Sequence, residues 1–211
     1  MKKSIFLSSV LSFLLLTANN LTAQLNYGLH AGLNVETQAE LGLLWNNVDL
    51  YQGLTVGAVL EYETGNSLSF QTEVNYKKKG EKVVSWINEK KTVLTREFNY
   101  VTVPLLVKYN FKAADAGDDW KFSLFTGPYA GFLTSVHAKS RFDGNTTSVD
   151  INDQAEKNDW GVVFGGGISK ELRNGTAVTA DLRYDMGLSK VDKENPDLRN
   201  KGFGIVIGYM F

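Results

Sequence analysis

Ala177-Val-Thr-Ala-Asp-Leu-Arg-Tyr-Asp-Met-Gly-Leu188 decides the fold class. Side chains alternate along it with the period of a β-strand, two residues. Val178, Ala180, Leu182, Tyr184, Met186 and Leu188 fall on one face, and Thr179, Asp181, Arg183, Asp185 and Gly187 on the other. One face is wholly apolar and the other carries both signs of charge. Such a strand separates an apolar medium from a polar one.

Seven further segments alternate in the same way: Leu25–Val35, Gly53–Glu63, Leu68–Lys77, Phe98–Tyr109, Trp120–Val136, Trp160–Ser169 and Phe203–Phe211. The connections between them nearly alternate in length. Residues 36–52, 78–97, 137–159 and 189–202 are long or moderate, whereas 64–67 and 173–175 are tight and 110–119 is intermediate. Asn174-Gly175 is a strong hairpin signal. This parity predicts an all-β, eight-stranded antiparallel up-and-down transmembrane β-barrel, with short turns at the end that holds both termini.

The medium around the barrel is decided by its charges. The polar faces gather Glu61, Glu63, Glu73, Lys77, Lys108, Lys121, Asp181, Arg183 and Asp185. A Lys or Arg facing lipid at mid-depth costs roughly 2–4 kcal/mol, so this set belongs in the lumen if the wall is lipid-facing. There the charges pair across the barrel and fill it, since eight strands enclose only enough space for side chains. Gly28, Gly57, Gly127, Gly165 and Gly187 are expected to make room for the longer groups. Tyr27, Tyr62, Tyr76, Tyr109, Trp160, Tyr184 and Tyr209 lie near strand ends on the apolar face, as interfacial aromatics do. The alternative is a soluble, lipocalin-like ligand-binding barrel with the faces exchanged.

The chain begins with Lys2 and Lys3, an apolar run from Ile5 to Leu16, and Leu21-Thr22-Ala23 before Gln24. This is the pattern of a secretory signal peptide over residues 1–23, leaving a barrel domain over 24–211. No cysteine follows the apolar run, so no lipid anchor on cysteine is expected. A net charge of −1 gives no electrostatic reason to expect a nucleic-acid partner. The sequence has no cysteine and 2 histidines, His30 and His137, far apart. No catalytic, cofactor-binding or metal-ligating set is expected from them, and no serine stands convincingly beside either. Asp150, Asp153 and His137 share one connection and read as solvated loop residues. Gly165-Gly166-Gly167 lacks the lysine and helix of a phosphate loop and reads as close packing or a strand kink.

The connection after the third segment is basic. Lys78, Lys79 and Lys82 open it, Lys90 and Lys91 stand at its far end, and Trp86 lies between. Lipopolysaccharide phosphates or an acidic partner are the ligands such a cluster suits. Leu41, Leu43, Leu44 and Trp45 make the first connection oddly apolar.

Gly202-Phe-Gly-Ile-Val-Ile-Gly-Tyr-Met-Phe211 resembles the terminal signal of outer-membrane barrels, with Phe203, Ile205, Ile207, Tyr209 and Phe211 on one face. Tyr100-Val-Thr-Val-Pro-Leu-Leu-Val-Lys-Tyr109, Gly127-Pro-Tyr-Ala-Gly131, Asp159-Trp-Gly-Val-Val-Phe-Gly-Gly-Gly167 and Arg183-Tyr-Asp-Met-Gly-Leu188 resemble the PorT-type outer-membrane barrel family of the Bacteroidota. The resemblance implies a barrel in the outer membrane, delivered by the barrel assembly machinery; from the even strand count and the signal peptide both termini are expected in the periplasm. Its founding member takes part in type IX secretion. The function expected is that of a structural or interaction barrel, touching lipid, lipopolysaccharide and other envelope proteins through its loops or turns. A narrow pore or transporter is the alternative.

Overall fold

A computed structural model describes residues 24–39, 50–65, 67–87, 90–112, 119–142, 145–150, 155–172, 175–193 and 197–211. The expected signal peptide, the apolar side chains of residues 41–45, and Asp153 lie outside these residues. The strands are β1 (Gln24–Ala39), β2 (Tyr51–Glu63), β3 (Leu68–Ile87), β4 (Lys90–Phe111), β5 (Trp120–Phe142), β6 (Asn145–Asp150), β7 (Asn158–Glu171), β8 (Ala177–Gly187) and β9 (Arg199–Met210).

Each strand pairs antiparallel with its neighbour, and β1 pairs with β9. β5 pairs with β4 on one side and β7 on the other, so eight strands close a ring. β6 stands outside the ring, as a hairpin partner of the far half of β5. Closure removes every sheet edge within the ring, which a wall in lipid requires because no water is there to satisfy edge groups.

Alternation sets the two surfaces. Along β1 and β3 the exposed Leu29, Leu33, Val74 and Tyr76 alternate with the buried His30, Asn34, Glu73, Asn75 and Lys77. Leu33 is 70% exposed while Glu73 is 1% exposed. A water-soluble protein does the reverse; a continuous apolar exterior over a charged interior is stable only with lipid outside. Of the aromatic residues expected at the rims, Tyr27, Tyr76, Tyr109, Trp160 and Tyr209 are exposed on this exterior. Tyr27 stacks on Phe211 at 5.5 Å, and Phe111 on Phe122 at 5.9 Å, at the end that holds the termini.

Two expected connections, 78–97 and 137–159, are instead largely strand. β2 leaves β3 at Thr55↔Lys77, but β3 and β4 stay paired through ten more residues, from Lys78↔Asn99 to Ile87↔Lys90. At about 3.4 Å per residue the hairpin runs roughly 30 Å beyond that point. β5 follows β4 up to Thr92↔Phe142, and β6 adds a fourth strand. A four-stranded sheet therefore projects from the end opposite the termini. The bulge at Asn99/Tyr100 marks the passage from ring to projection.

Candidate functional site

The lumen is filled by paired charges. Nearest the termini, Lys108 Nζ donates to Glu61 Oε2 and Gln71 Oε1, both at 2.9 Å, and Ser69 also donates to Glu61. At mid-barrel the Arg183 guanidinium bonds Glu73 at 2.7 Å and Asp181 at 2.8 Å. Asn75 Nδ2 donates to Glu73 at 2.7 Å, and its Oδ1 lies 2.6 Å from His30 Nε2. Further along, Lys77 sits between Asp185 at 2.5 Å and Glu36 at 3.1 Å. The cavity beside these residues measures ≈ 30 Å³, room for a water or two.

Glycines set the packing of this interior. A Cβ at Gly57 would strike the Asn75 carboxamide, one at Gly165 the Phe125 ring, and one at Gly167 the Asp181 carboxylate. Phe125 in turn joins Leu106, Tyr129 and Val163 in an apolar cluster inside the barrel, with Arg183 lying 5.4 Å over its ring. Two of the three consecutive glycines thus serve close packing.

The far mouth is closed by a second set. Lys79, fully buried, donates to Asp159 Oδ2 at 2.9 Å and to Tyr129 Oη at 3.2 Å. Its ammonium lies 4.5 Å over the Tyr129 ring. Asp159 also accepts from Ser189 at 2.8 Å and Asn200 at 3.1 Å. Phe98, Tyr100, Val136 and Ala155 cover this centre as a small hydrophobic core. Arg96 then ties Glu81 at 2.5 Å to Asp192 at 2.6 Å, fastening the β8–β9 connection to the projecting sheet.

The sequence reading therefore needs correcting at Lys79. It is no loop cation: β3 runs on without a break, so Lys79 keeps the inward parity of Lys77. Glu63 and Lys121 line the near end of the same interior, beside Glu61, Lys108 and Asp181. They are part-exposed around a vestibule of ≈ 280 Å³ at the end of the termini, where Lys121 bonds Glu171 at 2.6 Å. Glu36, Asp159, Ser189 and Asn200 were missed. Glu36 continues the inward row His30, Asn34, and Asp159 is one step before Trp160; extending the alternation past each apolar run finds both.

The outward face of the projecting sheet carries Lys78, Lys82, Lys139 and Arg141. Lys78 and Lys139 both reach Glu97, at 3.4 and 2.9 Å. Burial raises the pKa of Glu97, but the hydrogen bond and charge of Lys139 and the charge of Lys78 outweigh it and hold the carboxyl below its ordinary value. Lys82 lies on this face, and Trp86 is 68% exposed. The side chains of Lys90 and Lys91 lie outside the described residues. His137 pairs in register with Asp150 and Glu97 on the same sheet, far from His30 in the lumen. Among the described residues no group of three or more His, Cys, Asp or Glu side chains is arranged to hold a metal ion.

Several solved structures are similar to this chain. Neisserial surface protein A is similar over 89% of this chain and 97% of its own, at 15% identity and a TM-score of 0.50. Ail of Yersinia pestis, solved with the heparin analogue sucrose octasulfate, covers 89% of this chain and 99% of its own at 15% identity and a TM-score of 0.43. OprG of Pseudomonas aeruginosa covers 88% and 95% at 10% identity and a TM-score of 0.41. No curated protein matches the chain in sequence. The model of the outer membrane protein β-barrel domain matches residues 17–193, most of the sequence. With its closed ring, apolar wall and charged interior, the chain belongs to the outer membrane protein β-barrel domain family.

Proposed function

We propose that this protein is a structural or interaction barrel of the outer membrane, closed to solutes, with both termini in the periplasm and the β3–β6 sheet outside the cell. The observation that carries the reading is the lumen. Arg183 bridges Glu73 and Asp181, and Lys79 and Asp159 stand buried beneath the mouth. Solute passage requires breaking these pairs in a space with room for little more than a water. Among the described residues the outer sheet is the largest surface that projects beyond the wall toward partners, which favours contact over transport as the role. The outward row Phe203, Ile205, Ile207, Tyr209 and Phe211 supports recognition by the barrel assembly machinery, since it offers an unbroken apolar face on the last strand. Tyr100–Tyr109 and Gly127–Gly131 support the narrower PorT-type membership, and with it a link to secretion through contacts with other envelope proteins. Planar-bilayer recording of the purified barrel tests the reading. No conductance steps are expected, and steady channels that disappear on denaturation would replace contact with transport.

A further inference from the structure

Among the described residues no element packs on the outward face of the projecting sheet, and its side chains fall into rows fixed by register. Lys82, Thr95, Lys139 and Ser148 lie side by side across β3, β4, β5 and β6. The next row outward is Val84, Val93, Arg141 and Thr146, with Arg141 Nε 3.4 Å from Thr146 Oγ1. Strands stand about 4.8 Å apart, so the two lysines flank the Thr95 hydroxyl with roughly 10 Å between their Cα atoms. Flexible lysine stems close such a gap around a tetrahedral oxyanion. Among the described residues no carboxylate pairs with Lys82 or Arg141. On the row nearer the barrel, Glu97 is held between Lys78 and Lys139, and Asp150 lies two strands away from Glu97.

This face is also continuous with the lipid-facing wall. On β3 the outward series runs Val74, Tyr76, Lys78, Lys82; on β5 it passes from Phe132 to Lys139 and Arg141. Lys82 stands six residues beyond Tyr76, about 20 Å along the strand at 3.4 Å per residue. A lipid with an extended head group, its acyl chains against the wall, brings that head group along the same strands into reach of these cations.

We infer that the outward face of the β3–β6 sheet binds the phosphate groups of lipopolysaccharide in the surrounding leaflet, with Lys82, Lys139 and Arg141 as cations and Thr95 as hydroxyl donor. This rests on the outward orientation proposed above and names the partner of that surface. Ordinary anionic phospholipid ends too close to the membrane to reach the Lys82 row, whereas a phosphorylated saccharide core extends to it.

The test is binding of lipopolysaccharide to the full barrel in neutral detergent micelles, with intact and with phosphatase-treated lipopolysaccharide as probes. Intact lipopolysaccharide is expected to bind at least about tenfold more tightly, because each surface cation near the phosphate contributes independently. The triple variant Lys82→Gln, Lys139→Gln, Arg141→Gln should lose that tenfold and no longer distinguish the probes. Gel mobility before and after boiling reports whether the variant has folded. Should it fail to fold, salt on the unaltered protein decides: rising salt must weaken binding of the intact probe and leave the treated one unchanged. Equal binding of both probes, a variant that keeps its preference, or salt-independent binding of the intact probe would overturn the inference. The assay in micelles is indifferent to orientation and conductance, which protease treatment of whole cells and bilayer recording read separately.

Discussion

Arg183 is the residue on which the interior turns. Its two carboxylate partners, Glu73 and Asp181, are buried and come from opposite sides of the ring, β3 and β8. Arg183→Met leaves both acids without their cation, and breaking a buried pair in this way costs about 3–5 kcal/mol. Urea unfolding of the barrel in detergent should show a loss of that size, and an unchanged midpoint would mean the interior is wet enough to screen the pair. Gly165 offers the complementary change. Gly165→Val drives its side chain into the Phe125 ring and should destabilise the barrel by about 1–3 kcal/mol, the ordinary range for overpacking. Phe125→Ala in the same chain should recover part of that loss. Glu97 carries the acid dependence of the outer sheet. Its folded pKa lies below the unfolded value near 4.5, so its contribution is complete above that pH and is lost as pH falls through the lowered value. The hydrogen-exchange protection factor at the β4–β5 pairing around Arg96, taken relative to intrinsic amide exchange at each pH, should fall on acidification below about pH 4.5 in the unaltered protein, and Glu97→Gln should reduce that dependence.

Each strand crosses two environments, and the change between them explains what can be read from the sequence. From Leu25 to Val35, or from Ala177 to Gly187, one face meets lipid and the other the lumen, and composition alternates with every residue. The positions of the eight ring strands were therefore legible, as was the inward parity of Asp181, Arg183 and Asp185. Beyond Tyr76 both faces of β3 lie outside the apolar band, and Lys, Glu, Ser and Val serve on either. The alternation fades there although the backbone pairing does not, which is why residues 78–97 read as a loop and Lys79 as a surface cation. β6 escaped notice for the same reason: Asn145–Asp150 is exposed along its whole length. The mouth centre of Lys79, Asp159, Ser189 and Asn200 joins four separate stretches, and only ring closure brings them together. If the hairpin is an addition to the ring, removing residues 84–93 and joining the strands by a tight turn should leave assembly intact. The shortened barrel should still run with different mobility before and after boiling, and loss of that difference would place the hairpin within the folding unit.

Considered whole, the molecule inverts the usual arrangement of a globular protein, with charge inside and leucine, valine and aromatic rings outside. Ion pairs replace a hydrophobic core across most of the lumen, supplemented by the Phe125 and Phe98 clusters. The most direct test of this inversion is fractionation of cells making the protein, followed by gel mobility of unboiled against boiled sample. The account predicts recovery in the outer membrane, release only by detergent, and a mobility that shifts on boiling. Recovery in the soluble periplasmic fraction with no such shift would contradict it, because the apolar wall would then have to face water.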